Sequence, residues 1–140
     1  MYTKIIVPVA IDQLPHGERT LRIAQSLLGE GGEIVLLNVV EDLHAYAQGY
    51  MLVDFPVSLI EESREQARKL LLELAEKTGI AARVEIRTGG AAPTINEIAT
   101  DEKADLVIIA SHRPGLKDYF IGSTASRVVS HCPVAVLVDR

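Results

Sequence analysis

Only one cysteine, Cys132, occurs among 140 residues. No intramolecular disulfide can form, and a structural zinc site built on cysteines lacks its ligands. Positive charge is also in short supply. Fourteen Lys and Arg face 19 Asp and Glu, a formal net charge of −5. Nucleic acid is bound by clustered cations that displace counterions, so this balance points away from that partner. No apolar run approaches the roughly 18 residues that span a bilayer, so no membrane partner is expected. Met1 to Lys4 run straight into Ile5-Ile6-Val7 without the layout of a secretory signal. A cytoplasmic protein is the expectation. Neither a Walker A motif nor a GxGxxG fingerprint occurs, which leaves the major phosphate-loop folds without support.

What is present suits one globular domain over residues 1–140, with 48% hydrophobic and 24% charged residues. Residues 4–9 form an apolar run closed by Pro8 and a polar loop, the pattern of a buried strand. Residues 16–28 are helical, with Leu21, Ala24, Leu27 and Leu28 on one face and Gly29, Gly31 and Gly32 as the stop. Residues 33–40 read as a second strand. The stretch 41–55 is irregular, and Tyr46, Tyr50 and Met51 in it suit either a lid or a plain surface loop. Residues 56–77 make the longest helix, with Leu59, Ile60, Ser63, Ala67, Leu70, Leu71 and Leu74 inward. Glu65 with Lys69 and Glu73 with Lys77 are favourably oriented pairs on it, Glu61-Glu62 lie on its solvated face, and Gly79 caps its end.

Residues 83–87 alternate, with Val84 and Ile86 on one side, as an edge strand does. Gly89-Gly90 turns into a short helix through Ile95, Ile98 and Ala99. Residues 105–110 are apolar on both faces and read as central. Residues 123–131 are a helix with Ala125, Val128 and Val129 inward. Residues 133–138 are a last strand, before which Cys132 reads as a small buried apolar residue. The order βαβαβαβαβ implies an α/β fold: an open, doubly wound, five-stranded parallel sheet with helices on both faces.

In such a sheet, ligands sit beyond the C-terminal ends of the strands, where the strand order reverses. The first and fourth strands are the most apolar and should be central neighbours. Their loops, Ala10-Ile11-Asp12 and residues 111–115, then face each other. Gly122-Ser123-Thr124 opens the last helix with two hydroxyls and backbone N–H groups, a chemistry that suits phosphate. Arg113 and Lys117 add positive charge nearby. A Gly-Ser pair before a helix is also an ordinary N-cap, and the local pattern alone favours that plainer reading. His112 reads as a solvated loop histidine rather than a general base, because no nucleophile with an orienting acid accompanies it. His131 and Cys132 lack the partner set of a metal site.

Four segments together resemble the universal stress protein family across essentially the whole chain. They are the opening Lys4-Ile5-Ile6-Val7-Pro8-Val9, the loop Ala110-Ser111-His112-Arg113-Pro114-Gly115, the Gly122-Ser123 helix start, and the ending Cys132-Pro133-Val134 to Asp139-Arg140. The resemblance implies strand order 3-2-1-4-5 and an adenine-nucleotide site for ATP. Many members hold ATP with a pattern of glycine, two residues, glycine, nine residues, then Gly-Ser or Gly-Thr. Here Ala110 and Arg113 stand at the two glycines, and eight residues separate Arg113 from Gly122. The Asp that usually follows the first strand is replaced by Ala10, with Asp12 two residues on, which leaves a role for Mg²⁺ open.

By position, the backbones of Val39 and Asn38 would read the base edge. Pro8, Val9 and Ala10 would wall base and ribose. Ser111, His112 and Arg113 would border the triphosphate, and Gly122, Ser123 and Thr124 would hold it. The expected role is regulatory, in stress response, because no acid–base pair or metal cluster is evident. A non-nucleotide-binding member acting through protein contacts is the first alternative. An enzyme of the adenine-nucleotide α-hydrolase-like group is the second, but it needs a Ser-Gly-Gly-type loop where this chain has Ala10-Ile11-Asp12-Gln13. The last strand, apolar through residues 134–138 and placed at a sheet edge, points to a homodimer built on that strand.

Overall fold

The computed structural model describes residues 1–41, 57–111 and 122–140. Strands and helices alternate as β1 (Tyr2–Pro8), α1 (Leu14–Leu27), β2 (Leu28–Val40), α2 (Val57–Thr78), β3 (Arg83–Thr88), α3 (Ala91–Asp101), β4 (Leu106–Ala110), α4 (Ser123–His131) and β5 (Ala135–Asp139). The sheet order is 3-2-1-4-5, and every pairing is parallel. Alternation along β1 explains the layers. Ile5 and Val7 point to one core, with Ile34, Leu36, Leu21 of α1 and Leu71 of α2. Ile6 points to the other, with Val35, Val107, Ile98 of α3 and Val128 of α4. Ile5, Ile6 and Val7 are fully buried. Each such side chain contributes about 1.5–3 kcal/mol relative to exposure. Among the described residues no helix is long and apolar enough to cross a membrane.

Local boundaries depart from the sequence pattern in physically readable ways. The glycines at 29, 31 and 32 do not separate helix from strand; β2 starts at Leu28, directly after α1. Tyr2 pairs with Leu28 and Lys4 with Glu33, so the extra residues of β2 bulge between these rungs. Gly31 adopts φ +76° in that bulge. At Gly32 a Cβ would lie 2.9 Å from the Thr3 carbonyl oxygen. Leu59 and Ser63 are exposed; the fully buried face of α2 begins at Ala67. Val129 is 47% exposed. It sits one residue, about 100° of helical turn, past the inward Val128. Cys132 is half-buried against the second core. Lys77 reaches Glu18 of α1 at 3.2 Å instead of Glu73, and Glu65 lies 4.0 Å from Arg68 instead of pairing with Lys69. Gly79 does close α2, at φ +70°.

The N-terminal ends of the strands are tied together by charge. The Asp105 carboxylate accepts the backbone N–H groups of Thr3 (2.8 Å) and Lys4 (2.9 Å) and the Thr3 hydroxyl. Arg83 of β3 donates to Glu33 of β2 (2.6 Å), Glu85 (2.6 Å) and Glu102 beyond α3 (2.7 Å). Lys4 of β1 also reaches Glu102 and Glu33. The hydrogen bond from Arg83 holds Glu33 below the ordinary glutamate range, and the Lys4 ammonium does the same for Glu102. At Asp105, burial alone would raise the pKa. The N–H groups of Thr3 and Lys4 outweigh it and hold the carboxyl below the ordinary aspartate range.

A carboxylate with a lowered folded pKa stabilises fully above its unfolded value. That stabilisation is lost as pH falls through the lower, folded value. Stability should therefore hold from neutral pH down to about 4.5 and decline below it. Asp105→Asn should cost about 1–2 kcal/mol at pH 7 and make the acid decline shallower, as read from urea denaturation at a series of pH values. An unchanged acid limb would assign the decline to other carboxylates.

Candidate functional site

The two central strands stop early. β1 ends at Pro8, whose ring removes a backbone donor, and β4 ends at Ala110, while β2 runs on to Val40. The chain after Pro8 remains anchored. Val9 donates its N–H to the Leu37 carbonyl at 2.7 Å, and Asn38 Nδ2 donates to the Val9 carbonyl at 2.7 Å. Asn38 is buried, and this bond satisfies its amide and a strand-end carbonyl together. Val9 is buried against Gly17 of α1, where a Cβ would come within 2.5 Å of Val9 Cγ1. Glycine is what lets α1 close on the strand end. The chain then makes one 3₁₀ turn, Ile11–Gln13, with the Gln13 N–H donating to the Ala10 carbonyl at 3.0 Å. Across the gap, Ser111 donates its N–H to the Asp139 carbonyl at 2.9 Å, and the Asp139 carboxylate pairs with Arg19 of α1 at 2.8 Å. Asp139 is thus the last residue of β5 and not a charge beyond it.

Between these ends lies a cavity of about 450 Å³, a size typical of small-molecule sites. Pro8, Val9, Ala10, Asn38, Val39, Ser111, Gly122 and Thr124 all line it, as their positions in the sequence suggest. Ser123 is exposed and is not among the described residues that line it. Gly122 is the N-cap of α4, at φ −60° and ψ 156°, and as glycine it brings no side chain to cap that helix. The first turn of α4 therefore offers backbone N–H groups instead of a serine cap. His112, Arg113, Lys117, Tyr46, Tyr50 and Met51 lie outside the described residues.

The sequence reading missed Gln13, His16, Gly17, Ala91 and Ile95, which also line the cavity. A signal was available: in a doubly wound sheet the first turn of each crossover helix opens at the strand ends, and these residues start α1 and α3. Helices α1, α3 and α4 all begin at the cavity, so three positive helix ends converge on it. Its walls are apolar at Val9, Val39 and Ile95, and Asp12 supplies a carboxylate. The Gly89 N–H donates to the Val40 carbonyl at 2.9 Å, which turns Val40 toward β3. By the alternation of a parallel ladder, Val39 turns its N–H and C=O the other way, past the end of β1. The arrangement can hold a flat heteroaromatic group at β2 and an anion at α4. No group of three or more His, Cys, Asp or Glu among the described residues could hold a metal ion.

The model of the universal stress protein family matches residues 1–140. Universal stress protein G of Shigella flexneri is 29% identical over 145 residues and covers all of both chains. The solved structure of hypothetical protein MJ0577 is 27% identical, with a TM-score of 0.71, and covers 99% of this chain and 95% of that one. A universal stress protein from Archaeoglobus fulgidus, solved in complex with dAMP, is 16% identical and shares the fold, with a TM-score of 0.68. That match covers 99% of this chain and 98% of the other.

Gly17→Ala tests the closure of α1 on β1. Alanine gains about 1 kcal/mol in helix propensity, but overpacking against Val9 costs about 1–3 kcal/mol. The expected outcome is a net loss of stability in urea denaturation. A stabilised variant would show that Val9 yields without cost.

Proposed function

The chain belongs to the universal stress protein family, and from that premise we propose that it binds an adenine nucleotide, ATP foremost, in the cavity at the ends of β1 and β4. One observation carries the reading: the cavity sits where the strand order reverses, with the backbone of Val39 at one end and the glycine-capped start of α4 at the other. The dAMP complex of the Archaeoglobus relative supports it. In this reading the Val39 backbone pairs with the base edge. Pro8, Val9 and Ala10 wall base and ribose, Ser111, His112 and Arg113 border the phosphates, and Gly122, Ser123 and Thr124 hold them through backbone N–H and hydroxyl groups. Magnesium belongs to the reading only as the counterion of the triphosphate. The role is regulatory, a nucleotide-dependent component of the stress response in the cytoplasm, and not catalytic.

Calorimetry with ATP, ADP and AMP at millimolar concentration should detect binding. Gly122→Val should abolish it with circular dichroism unchanged, because a side chain there blocks approach to the helix end. No heat with any of the three would favour the alternative, a family member that works through protein contacts alone.

We also propose a homodimer through β5. The two sheet edges differ. β3 carries Arg83, Glu85 and Arg87, and Arg64 of α2 donates to the Ile86 carbonyl (3.1 Å) and the Thr88 hydroxyl (2.7 Å). Charges and a side-chain cap are what protect an edge from pairing. β5 presents Val136, Leu137 and Val138, each half-buried, and its one charge, Asp139, stands at its end, paired with Arg19. A second copy, antiparallel about a two-fold axis, would satisfy that edge. Wild type should sediment as a dimer at micromolar concentrations, and Val136→Lys should give a monomer or an aggregate. A monomeric wild type would overturn the dimer.

A further inference from the structure

We infer that Asp12 selects the sugar of the bound nucleotide by accepting hydrogen bonds from the 2′- and 3′-hydroxyls of ribose. The inference rests on the adenine-nucleotide reading of the cavity and adds its specificity-determining residue. Position supplies the first argument. The sheet runs β2, β1, β4 across the cavity floor. Val39 ends β2, the turn Ile11–Gln13 follows β1, and Ser111 and Gly122 follow β4. A nucleotide laid across these strands with its base at Val39 and its phosphates at α4 sets its sugar over the β1 turn, where Asp12 lines the cavity.

Chemistry supplies the second argument. Asp12 is the one carboxylate among the described lining residues. No ion pair or hydrogen bond joins its side chain to another described residue, so its acceptor sites are uncommitted within the described fold. An ionised carboxylate only accepts, with about four lone-pair sites, and a vicinal diol offers two donors at matching spacing. The base offers its edge to the Val39 backbone, and phosphate repels a carboxylate. Of the three parts of a nucleotide, the sugar is the one whose donors fit Asp12.

The test is calorimetry on the full chain with AMP, 2′-deoxy-AMP and 2′,3′-dideoxy-AMP, each with EDTA and again with Mg²⁺. Wild type should bind AMP about 10- to 100-fold more tightly than the dideoxy nucleotide, the range of a hydrogen bond to a charged acceptor. Asp12→Ala should remove most of that preference by weakening AMP. The melting temperature should not move, because Asp12 supports no described contact. Equal affinities in wild type overturn the inference, as does a preference that survives in Asp12→Ala. A preference that appears only with Mg²⁺ overturns it too, by assigning Asp12 to a cation. If none of the three nucleotides binds, the adenine reading of the cavity fails and this inference with it. Binding without sugar preference overturns this inference alone.

Discussion

A parallel strand that is apolar on both faces must be covered on both faces and paired on both edges. β1 meets that requirement completely: Ile5, Ile6 and Val7 are fully buried, β2 lies on one side and β4 on the other. The chain can satisfy it only by winding outward twice, once to β2 and β3 and once to β4 and β5. Right-handed crossovers then place α1 and α2 on one face and α3 and α4 on the other. The reversal of direction at β1 parts the loops above it, and the cavity is what remains between them. The site is thus a by-product of burying one strand.

Much of this was legible in the residues. The unbroken apolar runs of β1 and β4 identified the central strands, and the alternation at Val84 and Ile86 identified β3 as an edge. Ser123–His131 came out as a helix with the observed limits. That layout also placed the chain after β1 and Ser111 after β4 on opposite sides of the cavity.

Other features were hidden because they depend on contacts distant in sequence. Nothing local to Gly17 says that Val9 will press on it. Nothing local to Leu28 says that Tyr2 will pair with it and draw the glycine segment into β2. Asp12 looked like a misplaced substitute for an acid absent at Ala10, yet the 3₁₀ turn carries it to the cavity wall. Ser123 starts α4 one place after the Gly122 cap and is exposed, while Gly122 and Thr124 line the cavity. Val129 looked inward because it is apolar, but a nine-residue helix gives it no second surface to cover.

The charges gathered around Arg83, Lys4 and Asp105 lie at the end of the sheet opposite the cavity, and heat treats the two ends differently. The cost of desolvating ions falls as temperature rises, while the return from apolar burial levels off, so networked ion pairs gain in relative weight on warming. The end opposite the cavity is tied across β1, β2 and β3 by such pairs. The end that forms the cavity has one ion pair, Arg19 with Asp139, and otherwise rests on short hydrogen bonds and on close packing at Val9 and Gly17. Warming should therefore soften the rim of the cavity while the strand order is still held. In that temperature range the molecule would keep its topology and lose the shape of its pocket.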